Sequence, residues 1–408
     1  MLITVAFAAV FLFALTVMLV RYWVLPEVPR YRQDIAASLS LATGLPISIG
    51  RIDADWAGLH PRLILQDVVL HDRQQQPVLS LHHVEGVVSW WSVLVAELRL
   101  QSLILDAPVL DVRRDNAGLI YVAGIVVNRP GGDSRFVSWI LQQKRISVRN
   151  AVIRWQDDKA KALPLELQQV QLALLNSGSR HRFGLRATPP PSLASPLDIR
   201  GDLRGSGLQS LEGWRGTLFA QVSKLEFSSL RPYLPLPAEI RQGNGGVRLW
   251  FSFAGGQATE ATADVLLNNV RSRLASDLPE LDVESMSGRL GWRKLGAGFE
   301  VYGRQLALAV RGVVALPPAT LSIRWLPAEG RKAAEGGIAM DRTDVGKILR
   351  LSDYFPLSAE VRQGLLALSP RGRFDEFALD WQGPWQNPSH YTIKGRFAGL
   401  EFNPYGHL

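Results

Sequence analysis

From Ile47 almost to the C-terminus, apolar residues fall at every second position in short runs separated by glycine-rich or polar turns. Leu63/Leu65, Leu79/Leu81, Val170/Leu172/Leu174, Phe183/Leu185/Ala187 and Leu197/Ile199 are such sets. Val247/Leu249/Phe251/Phe253, Ala263/Val265/Leu267, Leu306/Leu308/Val310 and Leu321/Ile323/Trp325 continue them. Successive strand side chains point to opposite faces, so each set predicts a strand with one apolar and one wet face. Helical spacing is confined to Trp90–Leu98, Phe136–Gln142, Lys347–Leu351 and Ala359–Leu368. Strands and helices do not alternate, so no parallel α/β sheet is expected, and the pattern predicts a mainly antiparallel β fold. Between Ile47/Ile49 and Ile52/Ala54/Trp56 the alternation slips by one residue at Gly50-Arg51, which is how a β-bulge reads in sequence.

A different pattern precedes the strands. Met1 to Val20 carries no charged side chain, and about 20 such residues in a helix span a bilayer's hydrocarbon. Arg21, Tyr22 and Trp23 follow, as at a membrane interface. The run is longer than a signal peptide's apolar region, no basic segment precedes it and no small-x-small cleavage site follows, so a retained single-pass anchor is expected. Arg21, Arg30 and Arg32 all lie after it, which by charge alone favours a cytoplasmic C-terminal side. Ile35, Leu39 and Ala42 then share a helical face, with Gly44 as the stop and Pro46 beyond it.

Composition narrows the function. The chain has 408 residues and 47% apolar content, more than one compact core holds, so it must divide or elongate. With no Cys, disulfides, thiolate metal sites and a thiol nucleophile are excluded. The net charge is +8, but Lys and Arg come one or two at a time among Asp and Glu, so nucleic acid is not an expected partner. Attraction to anionic head groups accounts for the same charge. No nucleophile elbow, P-loop, H-E-x-x-H or G-x-G-x-x-G motif occurs. The seven histidines (His60, His71, His82, His83, His181, His390 and His407) have no helical i+4 partners and are expected at surfaces or interfaces. Asp53 and Asp55 form a D-x-D, the metal-binding pair of some sugar transferases, but they lie opposite Ile52, Ala54 and Trp56, on a strand's wet face. Asp157-Asp158, Asp202 and Glu212 read as solvated turns. No catalytic residue, metal ligand or cofactor site is therefore expected, and the chain is not expected to be an enzyme.

One internal repeat stands out. "RPYLPLPAEIRQG" (Arg231–Gly243) and "SDYFPLSAEVRQG" (Ser352–Gly364) agree at Tyr, Pro, Leu, Ala, Glu, Arg, Gln and Gly, which predicts a β-unit with a helical elbow used twice. The expected organisation is an anchor at 1–20, a juxtamembrane amphipathic helix within 21–45, a β-rich region at 46–230, and a further β-rich region with helical elbows at 231–408.

The N-terminal helix followed by "ATGLPISIGRIDADWAGLHPRLILQDVVL" closely resembles the start of the YhdP-type AsmA-like proteins of Gram-negative envelopes. In these a helix ends in T-G-x-P, a strand leads into a Trp and a Pro precedes an alternating strand, here Thr43, Gly44, Pro46, Trp56 and Pro61. "HRFGLRATPP", "RPYLP" and "LSPRGRFDEFALDW" are similar to later segments of the family, so the resemblance covers essentially the whole chain. Family members are usually much longer, and the chain resembles their N-terminal portion. The resemblance implies an inner-membrane anchor with a long periplasmic body, against the charge count above; long domains translocate largely regardless of nearby charge. It also implies an elongated, strongly curved antiparallel sheet with a chorein-like start, whose open apolar trough carries phospholipid acyl chains between inner and outer membranes. Phospholipids and the inner membrane are then partners, with outer-membrane or envelope proteins as further candidates. On periodicity, Leu63, Leu65, Leu249, Phe251, Phe253, Leu321 and Ile323 are expected to line the trough, with Arg248 and Ser252 facing outward. A membrane-tethered scaffold for envelope assembly, with a conventionally packed core, is the alternative that alternation also allows.

Overall fold

The computed structural model describes residues 2–72, 74–90, 92, 99–126, 135–205, 211–233, 239–355, 359–384 and 388–403. The chain is mainly β, with twenty strands, an N-terminal apolar helix and few short helices. Two compact units make it up, Met1–Pro190 with Asp198–Gly216, and Pro191–Leu197 with Thr217–Leu408.

The apolar helix runs over Leu2–Leu19 and continues through a wider π turn, Val20–Val24, and a 3-10 segment, Leu25–Tyr31. Pro26 and Pro29 have no N–H to give, which suits this break from α geometry. The amphipathic helix follows at Arg32–Thr43. Gly44 ends it in the left-handed conformation, φ 74°, its N–H bonded to the Ser40 carbonyl at 2.8 Å. Phe7 and Phe11 of the apolar helix are each 72% exposed, so the protein leaves them uncovered. By length and composition this helix can cross a membrane.

The first unit contains β1 (Ile47–Ala57), β2 (His60–His71), β3 (Pro77–Val88), β4 (Leu100–Asp106), β5 (Val109–Arg114), β6 (Ile120–Val122), β7 (Ile125–Val126), β8 (Arg145–Asp157), β9 (Leu165–Ser177) and β10 (Arg180–Thr188). β1 to β4 pair antiparallel in order, as do β8 to β10. The expectation of purely antiparallel pairing fails at one place, because β4 and β5 both run parallel to β8. The connection into β8 includes the helix Arg135–Gln142, so the strand restarts at the end of the sheet where β4 began. Periodicity shows no such crossover, because the parallel contact covers few residues.

The phase slip at Gly50 is present, but not as the expected bulge, since the β1–β2 register is the same on both sides of it. Gly50 and Asp67 both drop out of the β1–β2 register, Asp67 adopts φ 51°, and Ile49 and Ile52 are both buried on either side of the break. The apolar face thereby stays on one side across the slip. That face carries Ile49, Ile52, Leu63, Leu65, Val68, Leu70, Leu81 and Val84, buried beneath Leu25 and Val28 of the 3-10 segment with Ile35 and Leu39 of the amphipathic helix. Each fully buried side chain of this size contributes about 1.5–3 kcal/mol.

Three polar readings are corrected in this unit. His181 is 5% exposed, not at a surface; its Nδ1 is 2.7 Å from Asn176 Oδ1 and its ring packs on Trp214. The Asn176 amide in turn donates to the Ile140 and Gln143 carbonyls, at 3.1 and 2.7 Å, tying β9 to the crossover helix. Asp157 is not a solvated turn: it is 2% exposed and gripped by both Arg114 Nε, at 2.9 Å, and Nη2. Asp202 lies in β11 (Leu197–Arg204), held by Arg180 in the same two-pronged way. The Arg114 hydrogen bonds hold the Asp157 carboxyl below the usual carboxylate range. A lowered folded pKa gives stability that is complete above the unfolded value, about 3.9, and is lost as pH falls through the folded one. Asp157→Asn is therefore expected to lower the thermal midpoint at pH 7, and the gap from wild type should narrow below about pH 4. A gap that is constant with pH would contradict the ion pair.

After β12 (Arg215–Glu226), the second unit is a meander of β13 (Glu239–Ala254), β14 (Gln257–Arg273), β15 (Leu281–Leu295), β16 (Gly298–Val310), β17 (Val314–Leu326), β18 (Glu335–Asp344), β19 (Arg371–Gln382) and β20 (His390–Glu401). Each of β13 to β19 pairs antiparallel with the next strand, and the sheet does not close. Three strand pairs share one device. Gly243, Gly288 and Gly372, at φ 124°, 137° and 115°, each face a bulge in the partner strand, at Asn269, Gln305 and Gly399. At Gly288 a Cβ would lie 2.7 Å from the Gln305 carbonyl oxygen and 2.8 Å from Leu306 Cα, so only glycine fits both the conformation and the gap.

The helical patterns at Phe136–Gln142, Lys347–Leu351 and Ala359–Leu368 are helices at Arg135–Gln142, Val345–Leu351 and Ala359–Leu368, while Trp90–Leu98 falls mostly outside the described residues. The two repeat copies begin alike, each after a strand and a short helix, Phe227–Leu230 and Val345–Leu351. Their ends differ, since Glu239–Gly243 belongs to β13 whereas Glu360–Gly364 lies in a helix. In the first copy Gly243 faces the bulge at Asn269, so sheet pairing overrides the weak local helix preference.

Candidate functional site

Cross-strand register settles which side chains of the second unit share a face, since directly paired residues point the same way. One row runs Phe251–Ala261–Trp292–Val301–Ile323–Ile338–Leu379–Ile393 from β13 to β20. The adjacent row on the same face starts at Leu249–Ala263–Leu290, passes Gly303 and Leu321, and ends at Met340–Phe377–Gly395. Neither row contains a charged or hydroxyl-bearing residue. Phe253 extends the face beside Phe251, the two rings stacked at 6.3 Å. Trp325 and Trp381 border it, 6.5 Å apart, with Gly336 between them in the register and no room for a Cβ under the Trp381 ring. The face is not covered by protein: Leu249 is 37%, Val301 39% and Ile323 42% exposed.

The opposite face carries a charged row beside the row Trp250–Thr262–Gly291–Tyr302–Ser322–Ala339–Ala378–Lys394. Ser252, Glu260, Arg293, Glu300, Arg324, Gly337, Asp380 and Thr392 follow one another across the same strands. Arg293 pairs with Glu300, and Arg324 reaches Asp380 at 3.1 Å across Gly337, whose missing side chain leaves the gap they bridge. Arg248 lies on this face opposite Asp264, which takes two bonds from Arg289 at 2.6 and 2.8 Å. Those bonds hold the Asp264 carboxyl below its ordinary range. One face is thus apolar and half-open, while the other carries an ion-paired ladder.

The sequence-derived residues fall into two groups. Leu249, Phe251, Phe253, Leu321 and Ile323 come together on the open apolar face of the second unit, with Arg248 and Ser252 on the other side. Leu63 and Leu65, 9% and 6% exposed, are instead inside the first unit's core beneath the juxtamembrane segments. Their strand alternation carries no trace of what covers them. Trp292, Val301, Ile338 and Leu379 were not singled out, although each stands two residues from another apolar or glycine position on the same face.

Chemistry has little to work with. The D-x-D carboxylates are each engaged by arginine, Asp53 by Arg51 at 3.0 Å and Asp55 by Arg62 at 2.6 Å. Among the described residues no group of three His, Asp or Glu is placed to hold a metal ion.

A family model described as "YhdP protein" matches residues 1–408, the whole chain. No curated protein and no solved structure matches it.

Proposed function

We propose that this chain, which belongs to the YhdP protein family, is a membrane-anchored envelope protein that carries phospholipid acyl chains along the open apolar face of its second unit. Family membership is consistent with an envelope protein, and the Leu2–Leu19 helix is long and apolar enough to hold it in a membrane. In this reading the membrane is the inner one, the strands lie in the periplasm, and the protein assists phospholipid movement between inner and outer membranes. It binds and guides lipid without chemistry or a cofactor.

The observation that carries the reading is the two adjacent uncharged rows, eight strands wide and half-exposed in the protein by itself. An apolar surface of that extent is unfavourable in water and marks a binding surface. Acyl chains fit it because they ask for apolar contact and no hydrogen bond, and the face offers that alone. The ion-paired ladder on the other side keeps the sheet wet there and gives it a single lipid-bearing face.

A second reading, a tethered scaffold for envelope assembly, draws on the first unit, where Leu63 and Leu65 are packed inside protein. Two measurements separate them. Mass spectrometry of the purified full chain should find phospholipid bound beyond that held by the isolated Leu2–Leu19 helix in the same detergent. An alkaline phosphatase fused after Leu408 should be active, as only a periplasmic enzyme is. No lipid above the helix control would leave the scaffold, and an inactive fusion would reverse the topology.

A further inference from the structure

In the first unit, the strand ends nearest the anchor can be identified. β1 runs into the Gly58-Leu59 turn, β3 ends at Val88, and β4 and β8 start at Leu100 and Arg145, all at one end of the sheet. β9 finishes and β10 begins at that same end. Trp90, just past β3, donates its indole N–H to the Leu59 carbonyl at 3.0 Å and meets the anchor's Phe13 edge-on at 5.4 Å. Arg21 lies over the Trp56 ring at 5.8 Å. Phe13 sits six residues, about 9 Å, before the end of the apolar helix. If that helix spans the membrane, this end of the sheet is the one turned toward the membrane, with Trp90 reaching below its surface.

A hollow of about 580 Å³ opens at the same end, walled by Lys144, Arg145, Arg180 and Arg182, with Gln101, Ser102 and Ser177 among its polar lining. Arg145, Leu175 and Arg182 are successive partners across β8, β9 and β10, and the Ile146–Leu174 pair beside them lies on the other face. Arg180 is taken up by Asp202, which also feels the charges of Arg182 and Arg204. Lys144 and Arg145 form no ion pair among the described residues, so four cations face one carboxylate. Dispersed in sequence at 144–145 and 180–182, these cations are gathered only by strand pairing.

We propose that this basic hollow binds the phosphate of anionic phospholipid head groups in the membrane that holds the anchor. Guanidinium groups offer forked donors that match phosphate oxygens, and basic groups at a membrane surface draw anionic lipid. The placement depends on the anchoring half of the proposed function and not on acyl-chain passage along the second unit.

The test uses the full chain in nanodiscs of phosphatidylcholine with a minority of phosphatidylglycerol. Native mass spectrometry should find phosphatidylglycerol enriched around the wild-type chain. The paired substitutions Arg145→Gln and Arg182→Gln should reduce that enrichment at least about tenfold, while Arg145→Lys with Arg182→Lys keeps most of it. Circular dichroism should be unchanged, since both arginines are exposed. Equal enrichment in the glutamine variant would overturn the site. Binding of inorganic phosphate without phosphatidylglycerol enrichment would overturn the lipid as its source. Lipid capture by the second unit should be the same in all these proteins, so its failure would count against the acyl-chain reading alone.

Discussion

The Ile323→Glu substitution is expected to bring phospholipid capture by the second unit close to background, while Ser322→Glu leaves it unchanged. The two positions are neighbours on β17 but face opposite ways, Ile323 between Val301 and Ile338 and Ser322 between Tyr302 and Ala339. Ile323 is 42% exposed, so a glutamate there stays hydrated in the empty protein and the strand still pairs. An acyl chain laid across it would strip that water, and an unpaired carboxylate in hydrocarbon costs several kcal/mol. At about 1.4 kcal/mol per tenfold, this is a loss on the order of 100-fold or more in occupancy of that stretch. Phospholipid per mole of protein, by mass spectrometry, reads it directly. Equal lipid in both variants, with unchanged circular dichroism, would mean that acyl chains do not cross Ile323.

The largest stability effect is expected from Gly288→Ala. The substitution puts a methyl group between the Gln305 carbonyl and Leu306 Cα, both backbone, at φ 137° where a side chain is strained. Strain of about 1–3 kcal/mol adds to the overlap, and backbone on a paired strand cannot step aside without breaking the β15–β16 register. A loss of about 3 kcal/mol or more is expected in urea denaturation. Gly296→Ala is the control. At φ 59° with nothing within 4 Å of the added methyl, it should cost only about 1 kcal/mol. If both cost the same, the bulge at Gln305 relaxes freely and does not pin the register.

How much of this was legible in the sequence follows from which interactions are local. Period-two alternation is a property of each strand alone, so Leu249, Phe251, Leu321 and Ile323 could be assigned to a common face before any pairing was known. The Gly50 slip was readable because Ile49 and Ile52 keep their apolar character on both sides of it. What covers a face is not local. Leu63 and Leu249 have the same alternation, yet the first is buried under Leu25 and Val28 and the second is open. Burial of His181 and Asp157 likewise depends on partners far along the chain, at Asn176, Trp214 and Arg114. Which glycine of the second unit faces which bulge is fixed by register alone. The repeat misled in its second half because matching residues, Glu-Ile-Arg-Gln-Gly and Glu-Val-Arg-Gln-Gly, join a strand in one place and a helix in the other.

The central claim is that one face of the second unit carries lipid and the other does not. A photoreactive amino acid placed in turn at Leu321, Ser322, Ile323 and Arg324 of the full chain, in cells with labelled phospholipids, tests it most directly. Period-two cross-linking, strong at 321 and 323 and absent at 322 and 324, is the predicted result. Cross-linking that is absent or equal at all four positions in folded, membrane-anchored protein would contradict it.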